Sequence, residues 1–279
     1  MNEIVSKEEI APATYRYVIA HPKIARKRKA GQFVILRTHE GGERVPLTIV
    51  DSDPEAGTVT LIFQAVGHST RELAELGVGD RLLDLAGPLG QPTHIENFGK
   101  VCVIGGGYGT APVLPIAAAL AAAGNEMHGI IGARSKDLVI LEKELSAICP
   151  DLRVATDDGS YGHHGFVTDV LAQLLTETTL DFVLAVGPTP MMRAVSNLTR
   201  EHGIRTMVSL NPLMIDGTGM CGGCRVEVDG QTKFACVDGP EFDGHLVNFD
   251  LLMKRQATYR SHEAEAREVG SHCKIGLDE

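Results

Sequence analysis

The chain of 279 residues has no basic excess: 26 lysines and arginines stand against 36 aspartates and glutamates, for a formal net charge of -10. Sequence-independent binding to nucleic acid draws its affinity from cationic side chains that displace phosphate counterions, so nucleic acid is excluded as an expected partner. Long apolar runs are also missing. The longest, Ala111 to Ala123, carries Pro112 and Pro115 and falls short of the roughly 20 residues that a bilayer requires. Met1 to Ala20 lacks the basic region followed by an apolar stretch that marks a signal peptide, which predicts a cytoplasmic protein without a membrane span. Cysteine is scarce: six residues are too few for a disulfide framework in a chain this long. Repeats and low-complexity tracts are absent. What is present, 43% hydrophobic and 22% charged residues, supplies a globular core and excludes disorder, collagen and coiled coil.

Three textures follow one another along the chain. From Ile4 to about Asn97, short β-type runs alternate with glycine, at Tyr15 to Ile19, Gln32 to Arg37, Thr58 to Phe63 and Arg81 to Leu85. They predict a small antiparallel barrel or sandwich. From Lys100 to about Ser209, apolar runs at Val101, Met127, Leu152 and Phe182 alternate with helical segments ending near Ala123, Ile148, Leu175 and His202. This is the pattern of a doubly wound parallel sheet. After Leu210 comes a glycine- and cysteine-rich module ending near Pro240, then a polar tail from Asn248 with a helix expected over Leu251 to Arg267. The expected fold class is therefore α/β with an all-β N-terminal domain, in four units: 1–98, 99–209, 210–247 and a tail, 248–279.

The cysteine module has the most specific spacing. Asp216-Gly-Thr-Gly-Met-Cys221-Gly-Gly-Cys224 is followed after eleven residues by Cys236. Plant-type [2Fe–2S] sites use Cys-x4-Cys-x2-Cys and a distant fourth cysteine, with glycines that let backbone amides approach the inorganic sulfurs. Aspartate replaces the first cysteine here, and a carboxylate can ligate iron. The expected ligands are Asp216, Cys221, Cys224 and Cys236. Three thiolates and a carboxylate would also suit structural zinc, and Asp216 could instead cap the glycine turn while Cys273 supplies the fourth ligand.

A second motif, Gly105-Gly106-Gly107-Tyr-Gly109-Thr110-Ala-Pro112, joins a strand to a helix whose first amides can face a pyrophosphate. It departs from the dinucleotide fingerprint because Thr110 replaces the third glycine. No acidic residue ends the next strand, where Arg134 and Ser135 could meet an adenine ribose or its 2'-phosphate. In the first unit, Arg44-Val-Pro46-Leu47-Thr48 and Gly67-His-Ser69-Thr70 combine a bidentate cation, a hydroxyl able to reach a flavin nitrogen and a helix start suited to phosphate. Each is commonplace alone. Five basic residues between Lys23 and Lys29 read as a solvated loop, or as a patch for an acidic partner.

Together and in this order, over about residues 3 to 250, the motifs resemble the ferredoxin-reductase-type flavoproteins. The similarity is greatest to the branch of electron-transfer subunits of dihydroorotate dehydrogenase and of NADH-dependent ferredoxin:NADP oxidoreductase. The resemblance implies FAD on the barrel, held by Arg44, Pro46, Leu47, Thr48, Gly67, Ser69 and Thr70, with Thr48 nearest the chemistry. It implies NAD(H) or NADP(H) at Gly105, Gly106, Gly107, Gly109, Thr110 and Arg134, and an element at Gly187-Pro188 with Met191 that closes over the nicotinamide. It further implies a larger flavin and iron–sulfur subunit as heterodimer partner, through which ferredoxin is reached. Asp216 resembles the ferredoxin:NADP oxidoreductase and sulfide dehydrogenase branch, whereas dihydroorotate-linked subunits have cysteine there, and that branch favours NADH. The implied chemistry, hydride transfer at FAD followed by single-electron transfer to the cluster, requires orientation rather than a protein acid or base. The alternatives are a dihydroorotate dehydrogenase electron-transfer subunit and a redox-sensing module without turnover.

Overall fold

The computed structural model describes residues 1–258. Six strands, β1 (Glu3–Ala11), β2 (Thr14–Ala20), β3 (Phe33–Arg37), β4 (Val45–Asp53), β5 (Thr58–Gln64) and β6 (Asp84–Leu89), pair antiparallel in the order β1-β2-β5-β4-β3-β6. The sheet closes on itself because the chain before β6 returns to β1, with Ile4 N–H donating to Asp80 O and Leu82 N–H to Asn2 O. Alternate residues such as Tyr17, Ile19, Leu61 and Phe63 point inward and form one core. Two short helices cover it, α1 (Pro22–Lys27) and α2 (His68–Glu75). The Tyr17 hydroxyl fastens α2 by donating towards Leu73 O and Leu76 O at 2.9 and 2.8 Å.

The second sheet begins at β7 (Lys100–Gly106), passes through a tight turn at Gly107–Gly109 into α3 (Thr110–Ala122), and continues through β8 (Glu126–Ala133), α4 (Glu142–Ser146), β9 (Asp151–Thr156) and β10 (His163–His164). After α5 (Val167–Glu177) it resumes on the opposite side of β7 with β11 (Phe182–Val186), α6 (Thr189–Glu201) and β12 (Arg205–Ser209). β7 and β11 are buried on both faces, which is why their sequences run apolar without alternation. α3 and α4 pack on one face with Val113, Ile116 and Leu145; α5 and α6 pack on the other with Leu171, Met192 and Val195. The strand order reverses between β7 and β11, and the crevice at such a switch point is where open α/β sheets bind ligands.

The cysteine-rich segment forms a hairpin, β13 (Arg225–Val228) and β14 (Gln231–Phe234), and then β15 (Glu241–Asp243), which adds antiparallel to β12 as the sheet's last strand. Its last helix, α7 (Phe249–Gln256), buries Phe249 and Leu252 in the core that also holds Cys224 and Cys236. The segment leaving the barrel is tied to this module: the Gln91 side chain donates to Val237 O at 2.8 Å, and Thr93 Oγ1 donates to Glu241 Oε1 at 2.6 Å. Burial raises the Glu241 carboxyl to about 7, so this contact is made by a largely protonated acid below neutrality.

Several expected elements change. The strand expected at Arg81 to Leu85 begins at Asp84 and runs to Leu89, because Arg81 and Leu82 are engaged in closing the barrel. The stretch from Lys23 is helical through Lys27 rather than a loop, its start capped by the His21 ring accepting from Ile24 N–H. α2 begins three residues before the expected Arg71, and Val45 to Thr48 open a nine-residue strand with Arg44 just before it. Of the helix expected over Leu251 to Arg267, the described part is α7, and the remainder lies outside the described residues.

Candidate cofactor and electron-transfer site

A cleft of about 1000 Å³ opens where the barrel faces the switch point. Phe33, Pro46 and Thr48 line it from the barrel, and Gly106, Gly107, Gly109, Gly187 and Met191 line it from the ends of β7 and β11. Phe33 and Thr48 are register partners on β3 and β4, which fixes the hydroxyl beside an aromatic wall. The sequence-derived candidates fall into two groups. Pro46, Thr48, Gly106, Gly107, Gly109, Arg134, Gly187 and Met191 meet at this cleft, whereas Arg44, Leu47, Gly67, Ser69, Thr70, Gly105 and Thr110 stand outside its lining. The Leu47 side chain belongs to the barrel core, so only its backbone can serve a ligand.

The glycine turn explains why Thr110 is tolerated. A methyl group on Gly109 would lie 2.2 Å from Val186 O, and one on Gly105 would lie 2.7 Å from Thr110 Cα. Close helix–strand packing is thus secured at 105 and 109, and the threonine is buried at the first position of α3. A methyl on Gly106 or Gly187 would meet Met191, so this methionine rests on both turns. Gly107 has φ of 55° and open space above it, leaving its backbone bare towards the cleft.

At the start of α2, Ser69 Oγ donates to a Glu43 carboxylate oxygen and Thr70 Oγ1 accepts from Gly67 N–H at 3.1 Å. The serine hydroxyl thus donates to an anion at the helix start, and a phosphate taking that hydroxyl would displace the Glu43 carboxylate. Arg44 is exposed and makes no ion pair among the described residues. A flavin diphosphate fits this cation, hydroxyl and helix start.

The sequence reading missed Asp157 and Phe166. Asp157 follows β9, lines the cleft, and donates its N–H to Ala133 O at 3.0 Å, so the carboxylate stands one strand over from Arg134. Phe166 also lines the cleft with 63% of its surface exposed, an uncovered aromatic face at the rim. An acid thus lines the cleft at the end of β9, where none ends β8. Its signal was the Asp157-Asp158 pair at a strand end; Phe166 had no sequence signal. The Tyr108 hydroxyl is buried without a hydrogen-bond partner among the described residues, leaving a donor at the wall of the cleft.

In the cysteine module, the Cys224 and Cys236 sulfurs lie 3.2 Å apart as free thiols in the core, and Cys221 is exposed. Burial, and then the adjacent Cys224, push the Cys236 thiol up to about 12, so Cys236 becomes thiolate only beside a strong cation. Asp216 accepts from Thr218 N–H at 2.8 Å and Cys221 N–H at 2.7 Å, which hold its carboxyl below the ordinary range. The Cys224 and Cys236 sulfurs are brought together, whereas Asp216 meets Cys221 only through that residue's backbone N–H, and among the described residues no three such side chains converge as a metal site. The donor set itself, three thiols and a carboxylate, is of the kind that binds iron–sulfur clusters. Gly217 brings the loop against the barrel, since a methyl there would lie 2.8 Å from Ile35 and Leu89. Cys102 and Cys149 are buried within the parallel sheet's cores, and Cys273 lies outside the described residues.

A flavin-sized cleft between a barrel and a nucleotide-type switch point, with a cysteine module at its border, defines an oxidoreductase-type electron-transfer subunit of ferredoxin-reductase fold. Residues 103–197 match the oxidoreductase NAD-binding domain, and residues 211–248 match the iron-sulfur cluster binding domain of dihydroorotate dehydrogenase B. The chain belongs to the family of dihydroorotate dehydrogenase B electron transfer subunits. It is 49% identical to a homolog of that subunit from Thermotoga maritima, over 94% of this chain and 93% of the relative. It is 34% identical to the subunit from Streptococcus mutans, over 88% and 97% respectively. A solved structure of an NADH-dependent reduced ferredoxin-NADP oxidoreductase, described for flavin-based electron bifurcation, superposes with a TM-score of 0.92 at 47% identity, covering 96% of this chain and 97% of that one. Among the described residues, no helix is long and apolar enough to cross a membrane.

Proposed function

We propose that the chain accepts hydride from NADH at FAD and delivers single electrons through a [2Fe–2S] centre to a larger flavin and iron–sulfur partner, as in NADH-dependent ferredoxin:NADP oxidoreductase. The observation that carries this reading is one cleft bordered by all three units: Thr48 of the barrel, Gly106 and Met191 of the parallel sheet, and Met214 and Pro240 of the cysteine module. In the working division, 1–98 holds FAD, 99–209 the nicotinamide nucleotide, 210–247 the cluster, and 248–279 is a tail. Bound FAD would supply the exchange between two-electron hydride chemistry and one-electron transfer.

The chain's own residues bind and orient. Thr48 presents a hydroxyl to the flavin ring; Arg44, Ser69 and Thr70 take its diphosphate; Gly67 opens the phosphate-facing turn. The turn from Gly105 to Thr110 receives the nucleotide's pyrophosphate, and Met191 on Gly106 and Gly187 restricts where the nicotinamide lies. Arg134 and Phe166 offer planar faces to the adenine, and Asp157 accepts from ribose hydroxyls while repelling a 2'-phosphate. Asp157→Ser is accordingly expected to raise the kcat/KM ratio of NADPH to NADH about tenfold in flavin reduction. An unchanged ratio removes Asp157 from the nucleotide site.

Asp216, Cys221, Cys224 and Cys236 would hold the cluster. A carboxylate is a harder and weaker donor than thiolate, so Asp216→Cys is expected to retain the cluster at a lower midpoint potential and Asp216→Ala to make it labile. Redox-titrated electron paramagnetic resonance (EPR) checks both, with Cys273→Ser as control. An unchanged signal in Asp216→Ala would reduce the carboxylate to its other visible role, capping the turn at Thr218 and Cys221.

The test of the whole reading is anaerobic mixing of the full holoprotein with NADH. Flavin bleaching followed by cluster bleaching is expected, and a flavin that stays oxidised identifies a redox-sensing or structural module instead. Relatives named as dihydroorotate dehydrogenase B subunits favour a second reading, in which the partner oxidises dihydroorotate. The identity of the subunit that co-purifies with the native chain decides between them.

A further inference from the structure

The last two residues of α7 reach in different directions. Arg255 Nη2 donates to Gly223 O at 3.3 Å, inside the loop between Cys221 and Cys224. Gln256, its neighbour, accepts from Thr189 Oγ1 at 2.9 Å and donates to Asn211 O and Oδ1 at 3.1 and 3.2 Å. Thr189 is 3% exposed and begins α6, two residues before Met191, while Asn211 lines the cleft at the entrance to the cysteine module. One end of a short helix therefore holds the cysteine loop, the nicotinamide-facing turn and the connection between them.

α7 is itself anchored well enough to act this way. Asn248 caps its start by accepting from Leu251 N–H at 3.0 Å and donates to Glu227 of β13 at 2.7 Å. Arg193 of α6 pairs with Asp250 at 2.8 Å, and Phe249 and Leu252 are buried in the shared core. A helix fixed at its start and along one face presents its last side chains from a set position, so their hydrogen bonds constrain the partners instead of following them.

We propose that Arg255 and Gln256 form a strap that positions the Cys221–Cys224 loop and the Thr189–Met191 turn relative to each other, Gln256 serving the hydride side and Arg255 the cluster side. The strap rests on the hydride and cluster assignments of the proposed function, and both residues are positioning residues. Gln256 sets the first turn of α6, and with it the height of Met191 above Gly106. Arg255 holds the Gly223 carbonyl, and with it the residue whose N–H donates to the Cys221 sulfur at 3.4 Å, so it would set the shape of the loop that holds the cluster.

The full chain loaded with FAD and cluster is compared with Gln256→Ala, Gln256→Glu, Arg255→Ala and Arg255→Lys. Gln256→Ala is expected to weaken equilibrium binding of NAD+ and slow flavin reduction by NADH about tenfold, the loss of one to two well-placed hydrogen bonds. It should speed amide hydrogen exchange across 187–192 and 211–214 while leaving the EPR line shape intact. Gln256→Glu keeps the acceptor for Thr189 and loses the donors to Asn211, so it should fall between wild type and alanine. Arg255→Ala should alter the EPR line shape and speed exchange across 221–224 without changing NAD+ affinity, and Arg255→Lys should restore both. Should Gln256→Ala not fold, Gln256→Glu carries the hydride-side effect, and should Arg255→Ala not fold, Arg255→Gln, whose shorter side chain cannot reach the Gly223 carbonyl, takes its place with the same expected change in line shape and exchange. The strap is overturned if no variant differs from wild type, or if both signals and thermal stability decline together in every variant. A wild type that neither NADH nor NADPH reduces overturns the proposed function instead, and the exchange rates then decide on the strap by themselves.

Discussion

Cys236→Ser is expected to abolish transfer to one-electron acceptors while NADH continues to bleach the flavin. Cys236, like Cys224, is 1% exposed, and the two sulfurs lie 3.2 Å apart, so these are the proposed ligands that the fold holds most firmly. Serine is a poorer donor to iron and leaves a hydroxyl among apolar neighbours. Cys221→Ser should also remove the cluster, but with less effect on stability because Cys221 is exposed. In both variants flavin reduction should change by less than about twofold, because a point substitution at a cysteine leaves the glycine turn, Met191 and the end of α7 in place. Iron and sulfide analysis beside stopped-flow flavin reduction checks this, and two irons per chain in either variant would remove the cysteine from the ligand set. The structure adds a condition. Met214 and Pro240 line the cleft and β15 completes the parallel sheet, so deleting residues 210–247, in contrast to point substitution, should destroy nucleotide binding as well.

Gly109→Ala is expected to damage the fold and the nucleotide turn together. The added methyl would stand 2.2 Å from Val186 O, and the contact is backbone on the central strand pair β7–β11, which has no side chain to rotate away. Overpacking of this kind costs about 3 kcal/mol, or about 10 °C in melting temperature for a chain of this size. Because the displaced turn carries Gly106 and Gly107, NADH binding should be lost even at temperatures where the protein remains folded. By contrast, Gly106→Ala meets the flexible Met191 side chain and should mainly raise the KM for NADH. Thermal melts with NAD+ titrations distinguish the two, and equal stability of wild type and Gly109→Ala would refute the packing argument.

The sequence showed the parallel sheet more clearly than the barrel. Phe182 to Val186 was legible residue for residue, because a strand buried on both faces leaves an unbroken apolar run. The strand at Arg81 was misplaced because its residues close the barrel against Asn2 and Ile4, a contact across about 80 positions that local alternation cannot register. The basic stretch at Lys23 concealed a helix whose cap is a histidine, a residue with little capping signal. At the site, the glycine turn and the cysteine spacing were visible because tight turns and ligand loops need particular residues at fixed intervals. Asp157 was overlooked because an acid was sought on the strand after the turn, whereas the acid that lines the cleft stands at the end of the strand beyond.

By itself the sequence determined the order of the units, the kind of sheet in each, and the residue types able to hold a flavin, a nucleotide and a cluster. These follow from composition, periodicity and short-range spacing, all local properties of the chain. Only the tertiary structure decided that Thr48, Met191 and the borders of the cysteine module face one cleft, that β15 welds the module to the parallel sheet, and that α7 reaches both the cysteine loop and the nicotinamide turn. The physical reason is that each of these meetings joins residues far apart in sequence. It is the packing of one apolar face on another that brings them together, and no spacing of letters records which faces will pack.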